Sequence, residues 1–193
     1  MLGLKLATDP RWVDIAEKQI DEILIDHAFC EQKAATSGIS LIVRFSDLED
    51  IVEKVSPVVA EEWGHFRKVL KELKKRGYAL GKPRKDDYVL NLLKFVKKGG
   101  TREVQLVEQL LVMAMIEARS CERFRLLSLH ISDEELKSFY HEFMVSEAGH
   151  YRMFLDLANQ YASKEYVQQR WQEMLAFEAE MISTLEWRSD RVH

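Results

Sequence analysis

Residues 112–122 read Val112-Met113-Ala114-Met115-Ile116-Glu117-Ala118-Arg119-Ser120-Cys121-Glu122, and the unbroken apolar run from Val112 to Ile116 meets a carboxylate at Glu117. Leu106, Leu110, Met113, Glu117, Cys121 and Phe124 follow one another at steps of three and four. That period places Glu117 on the stripe a helix turns toward its core. Burying a lone carboxylate costs several kcal/mol even after relaxation, so a core Glu is neutral, ion-paired or bound to a metal. Arg119 and Arg123 are the local candidates for an ion pair, and the rest of the chain decides between them and a metal.

The chain has 193 residues, 47% of them hydrophobic, which suffices for one full core; a single domain over 1–193 is the expectation. With only 8 Gly and 3 Pro to punctuate it, long helices are favoured over short strands. Cys30 and Cys121 form no Cys-x-x-Cys pair, so neither a disulfide framework nor a zinc or rubredoxin-type site is expected. No signal peptide is evident and no apolar run reaches the roughly 18 residues of a membrane span. A soluble, cytoplasmic protein without membrane contact is expected.

Working outward, Thr8-Asp9-Pro10 reads as a helix start. Ile15, Ile20, Leu24, His27, Glu31, Ala34, Gly38 and Leu41 then suggest one long first helix over about 10–44. Ser46-Asp47-Leu48-Glu49 reads as a capping box that opens a second helix, with Gly77 as its C-terminal cap and Pro57 as a potential kink. A connection over 77–100 carries a short amphipathic piece near 87–96. Thr101 opens a third long helix to about Leu129, and Ser132-Asp133-Glu134-Glu135, a second capping box, opens a fourth to about Tyr161. A last helix is expected over about 164–188. The fold class is therefore all-α: a ferritin-like four-helix bundle with a long crossover between helices 2 and 3 and an additional C-terminal helix.

The second and fourth helices each carry Glu-x-x-His, as Glu62-Trp63-Gly64-His65 and Glu147-Ala148-Gly149-His150. Residues three apart share a helix face, so each pair can bind one ion. Glu31 lies 15 residues before Ser46 and Glu62 lies 16 after it; Glu117 and Glu147 each lie 15 from Ser132. At about 1.5 Å per residue, the four carboxylates stand roughly 22 to 24 Å from their turns, at one level. One Glu from each of two helices and Glu-x-x-His from each of the other two is the di-iron or di-manganese carboxylate pattern. Four carboxylates balance two divalent ions, and oxygen ligands with two imidazoles suit iron or manganese better than zinc.

Glu61 is the rival to Glu62, and Glu122 the rival to Glu117. Mirror spacing favours Glu62. Glu122 stands about 140° around the helix from Glu117 and off the common level, which leaves it as an ion-pair partner or a hydrogen-bond partner of a ligand. His27, one turn before Glu31, is either a structural core histidine or a group that orients a ligand. Tyr151 reads as core packing, and His130, His141 and His193 as loop or surface residues.

Several stretches resemble the MiaE-type tRNA hydroxylases, non-haem di-iron monooxygenases of the ferritin-like superfamily. They are Asp26 to Ala35 (Asp-His-Ala-Phe-Cys-Glu-Gln-Lys-Ala-Ala), Glu61-Glu62-Trp63-Gly64-His65-Phe66, Ile116 to Phe124, and Ser146-Glu147-Ala148-Gly149-His150-Tyr151. The resemblance implies hydroxylation of the isopentenyl side chain of a 2-methylthio-modified adenosine beside the tRNA anticodon, with dioxygen and an electron-donor protein or reductase. It implies two iron ions, with manganese as the alternative, on Glu31, Glu62, His65, Glu117, Glu147 and His150. A ferritin-like ferroxidase or iron-handling protein would use the same ligands without an organic substrate.

The net charge of −4 hides a local imbalance. Between Arg67 and Arg102 stand 13 Lys or Arg against three acids. Such a segment can attract a polyanion, and Lys82, Arg84, Lys85, Lys97 and Lys98 on the crossover are the expected tRNA contacts.

Overall fold

The computed structural model describes residues 2–83, 85–185 and 190–192. Its elements are α1 (Trp12–Glu17), α2 (Ile20–Arg44), α3 (Glu49–Lys75), α4 (Asp87–Leu92), a 3-10 turn (Leu93–Phe95), α5 (Arg102–His130), α6 (Glu134–Tyr161) and α7 (Lys164–Thr184). No strand occurs among the described residues, so the fold class is all-α, with the ferritin-like order of two long hairpins and a crossover.

Two compact units divide the chain. One holds residues 14–85 and, among those described, 190–192. Here α2 packs on α3, with Ile23, Leu24, Ala28, Ala35 and Leu41 facing the same core as Ile51, Val55, Val69 and Leu73. Each of the Ile, Leu and Val side chains contributes about 1.5 to 3 kcal/mol when fully buried. The bend is plugged by Phe45, which is fully buried and donates its amide to Leu41 O at 3.0 Å. Gly38 sets the helix spacing: a Cβ there would stand 2.5 Å from Val59 Cγ2. At the far end of α3, Gly77 (φ +78°) closes a Schellman motif, with Gly77 N bonded to Lys74 O and Tyr78 N to Leu73 O at 3.1 and 2.9 Å.

The other unit takes, among the described residues, 2–13 and 86–185. Its centre is the α5–α6 hairpin, with α4 and α7 alongside. Thr101 caps α5 by accepting from Val104 N at 3.3 Å, Asp86 caps α4 through Val89 N at 3.0 Å, and Ser163 caps α7 through Tyr166 N at 3.2 Å.

Five expectations need correction. The first helix is two helices, broken at Lys18-Gln19, where Gln19 leaves helical geometry (φ −139°, ψ 52°). The break lies where the apolar stripe steps five residues, from Ile15 to Ile20, which no continuous helix keeps on one face. Ser46 does not cap α3: the helix opens at Glu49 behind Leu48, with no side-chain cap bond, since the bend is set by the buried Phe45. Asp133 rather than Ser132 caps α6, accepting from Glu135 N and Leu136 N at 3.0 and 3.1 Å. α7 ends at Thr184, with Leu185 extended beyond it, and the expected stretch 186–188 lies outside the described residues. Finally, α3 passes through Pro57 without interruption.

Candidate metal centre

The hairpin bends place the carboxylates. Glu31 lies 13 residues before the end of α2 at Arg44, and Glu62 lies 13 after the start of α3 at Glu49. In the other hairpin, Glu117 lies 13 before His130 and Glu147 lies 13 after Glu134. Each pair therefore stands about 20 Å from its bend at 1.5 Å per residue.

In the α2–α3 hairpin, Glu31, Glu62 and His65 each offer a ligand atom within 4.8 Å of the others. His65 Nδ1 is 3.3 Å from Glu31 Oε2 and 4.0 Å from Glu62 Oε2. Donors spaced this way suit a shared divalent ion with bonds of about 2 Å. Both carboxylates are buried. Burial works against a charged His65 ring, but the contact with Glu31, reinforced by Glu62 and Glu61, outweighs it and raises the pKa. Glu61 is half-exposed and lies 3.9 Å from His65 Nε2. The second oxygen of Glu31, Oε1, lies 2.6 Å from His27 Nε2. His27 is fully buried, and that burial, with the charge of His65 adding to it, pushes its pKa down to about 3. It is a neutral imidazole whose Nε2–H donates to Glu31. Beside it, Asp26 accepts from Val192 N at 2.8 Å, which ties the C-terminal residues to α2.

In the α5–α6 hairpin, Glu117, Glu147 and His150 likewise offer ligand atoms within 4.8 Å of one another, with His150 Nδ1 3.6 Å from Glu147 Oε2. All three are buried. The two arginines that the sequence offered to Glu117 contact other groups. Arg119 binds Glu178 and Glu122 and donates to Leu6 O at 3.0 Å, and Arg123 lies over the Trp12 ring at 4.3 Å. Glu122 also accepts from Thr8 N and Thr8 Oγ1, both at 2.8 Å, so it anchors the N-terminal segment. Cys121 donates to Met144 O at 3.2 Å, and burial, with Glu117 nearby, pushes its thiol up to about 11.

Sequence reasoning missed two buried acids. Glu178 on α7 meets Arg119 and Tyr88, and Glu108 on α5 meets Arg170 through two bonds of 2.6 Å. Glu178 lies on the apolar stripe with Trp171, Leu175 and Ile182, the same signal that singled out Glu117. What separates them is a partner: an arginine for Glu178 and Glu108, a histidine and a second carboxylate for Glu117. Tyr151 packs on Trp171 and donates to Leu2 O at 3.2 Å. His130 and His141 are exposed, and His193 lies outside the described residues. Lys82, Lys85, Lys97 and Lys98 are exposed, Lys97 with its Nζ 5.4 Å from the Tyr166 ring centroid. Arg84 lies outside the described residues.

No helix is long and apolar enough to cross a membrane among the described residues. The family model described as tRNA-(MS[2]IO[6]A)-hydroxylase (MiaE) matches residues 2–193. A tRNA 2-(methylsulfanyl)-N(6)-isopentenyladenosine(37) hydroxylase of Pseudomonas putida is 37% identical over 177 residues, 92% of this chain and 85% of that one. A protein of the same description from Salmonella typhimurium is 34% identical over 116 residues, 60% of this chain and 42% of that one. Among solved structures, a protein from Synechococcus described as having aldehyde deformylating oxygenase activity superposes with a TM-score of 0.92 at 31% identity, over 98% of this chain and 94% of that one.

Proposed function

We propose, since the chain belongs to the MiaE family of tRNA hydroxylases, that it holds two iron ions on Glu31, Glu62, His65, Glu117, Glu147 and His150 and works as one di-iron domain. It is an enzyme that hydroxylates the isopentenyl side chain of 2-methylthio-isopentenyladenosine in tRNA. The observation that carries the iron assignment is the matched donor set: each hairpin presents two buried carboxylates and one imidazole, 13 residues from its bend. Four carboxylates offset two divalent ions, and the oxygen-rich donors with one imidazole each suit iron. Glu108 and Glu178 each meet an arginine, whereas each hairpin sets these acids beside an imidazole, and two divalent cations would offset the cost of their burial.

When bound, the iron pair supplies the reduction of dioxygen by two external electrons and two protons, which leaves one oxygen atom in a carbon–hydrogen bond of the side chain and the other in water. The protein's own residues hold and orient. His27 donates to Glu31 Oε1 and so fixes the carboxylate with Oε2 turned toward His65. The anchoring of Glu122 on Thr8 and Arg119 keeps a third acid of α5 and α6 away from the ions. Met113 and Phe124, on the side of α5 that carries Glu117, are buried and apolar, which suits an isopentenyl group and excludes water. An electron-donor protein or reductase supplies the electrons, and a tRNA substrate sets the work in the cytoplasm.

The test is nucleoside analysis of tRNA from cells with and without this chain, followed by reconstitution of the purified protein with Fe2+, a reductant and dioxygen. The hydroxylated nucleoside is expected only where the chain is present. Its equal abundance in both strains overturns the assignment.

A further inference from the structure

The buried side of α3 in its second half is Glu62, Phe66, Val69 and Leu73. Away from it, Trp63, Arg67, Lys71 and Lys74 fall within about 80° of arc and extend about 16 Å along the axis. All four are exposed, Trp63 at 48%. From Arg67 to Arg76 the chain has six basic residues and a single acid, Glu72, which Arg76 Nε already holds at 2.6 Å.

A helix macrodipole draws cations to its last turn. That accounts for Lys74 and Lys75 but not for Lys71 or Arg67, which stand one and two turns earlier. Nor does it account for Trp63, whose ring leans on Phe66 at 4.9 Å between centroids and leaves the rest of its surface to solvent. Gly64, next to it, weakens the interior of a 27-residue helix, and no atom lies within 4 Å of where its Cβ would stand. An exposed aromatic beside open ground, continued by a row of cations, has the elements that bind single-stranded nucleic acid: a stacking platform and a phosphate track.

Resting on the tRNA reading above, we propose that the outer face of α3 from Trp63 to Lys74 docks the tRNA. Arg67, Lys71 and Lys74 take successive phosphates, and Trp63, over the space left by Gly64, stacks an unpaired base. The track begins between Glu62 and His65 in sequence, so it delivers the strand at the level of the metal ligands. From Lys74 it continues through the Gly77 turn toward Lys82 and Lys85.

The test compares the iron-loaded proteins R67Q/K71Q/K74Q, W63A, W63F and a charge-matched control, K18Q/K54Q/K164Q. Binding to tRNA from cells lacking the enzyme is measured across a salt series, with iron content and thermal melting confirming the fold. The α3 triple variant is expected to bind at least tenfold more weakly at about 0.1 M salt, with the slope of log K against log salt shallower by about two to three. The control is expected to stay within about threefold of wild type. W63A is expected to lose about tenfold while W63F recovers most of it, since stacking tolerates any aromatic face. If wild type binds and hydroxylates tRNA while the α3 triple keeps its affinity and slope, or weakens no more than the control, the track is overturned and the tRNA function stands. If wild type neither binds nor hydroxylates tRNA, both fall.

Discussion

Arg119 lies fork to fork on Glu178, Nε to Oε1 and Nη2 to Oε2 both at 2.8 Å, and neither residue is exposed. The pair joins α5 to α7 two residues from Glu117, and it also accepts from the Tyr88 hydroxyl at 3.2 Å. Burial alone would lower the Arg119 pKa, and the Glu178 contact instead raises it, so the guanidinium stays charged. Removing one partner of such a pair leaves a buried charge uncompensated. Glu178→Ala is expected to cost about 3 kcal/mol, the lower part of the range for a broken buried pair, because Arg119 keeps Glu122. Urea denaturation checks it; a loss below about 1 kcal/mol would contradict this account.

Glu117 and Glu122 make opposite predictions. Glu117→Ala is expected to cut bound iron from two ions per chain to one or none. Glu122→Ala is expected to keep both ions and to loosen the N-terminal segment through the lost Thr8 bonds. Metal analysis of the two purified variants separates them, and full loading in Glu117→Ala would move the ligand elsewhere.

His27 acts on Glu31 through a single short contact. His27→Ala is expected to weaken iron binding about 10- to 100-fold, the usual effect of losing a residue that orients a ligand. A competition titration with a chelator reads this directly. Unchanged affinity would make His27 a packing residue only.

At Gly38 an added methyl meets Val59 Cγ2, a stiff β-branched side chain. Overpacking costs about 1 to 3 kcal/mol, and the better helix propensity of alanine returns about 1. Gly38→Ala is therefore expected to lose up to about 2 kcal/mol net by chemical denaturation, where a helix-interior glycine with open space would gain.

The thiols differ in reactivity. Cys121 is buried, bonded to Met144 O and pushed up to about 11, whereas Cys30 is partly exposed. At pH 8 one thiol per native chain is expected to react promptly with an alkylating reagent, and two in denaturant, since the thiolate is the nucleophile. Mass spectrometry of the labelled peptides identifies which.

Periodicity was enough to find the long helices and to put Glu31, Glu62, Glu117 and Glu147 on their inward faces, because 3.6 residues per turn leaves a repeating trace in composition. It could not say what each inward acid meets. Glu117 and Glu178 carry the same local signal, and the contact of Arg119 with Glu178, made across 59 positions of the sequence, tells the second apart from the first. Caps were misread for a related reason: Ser46 and Ser132 fit a short pattern, but burial of Phe45 sets one bend and Asp133 outcompetes its neighbour at the other. The break at Gln19 was readable in the five-residue step from Ile15 to Ile20, an irregularity that a stripe-following reading passes over.

Thirteen residues between each carboxylate and the nearest bend amount to more than three and a half turns. Length changes at Phe45–Leu48 or at Ile131–Asp133 therefore fall where the chain can absorb them in its connections. A single deletion inside the intervening helix has no such outlet: it would swing everything beyond it by about 100° and carry the acid off the inner face. Natural variation in this architecture should accordingly gather insertions at the hairpin tips and forbid them along the shafts.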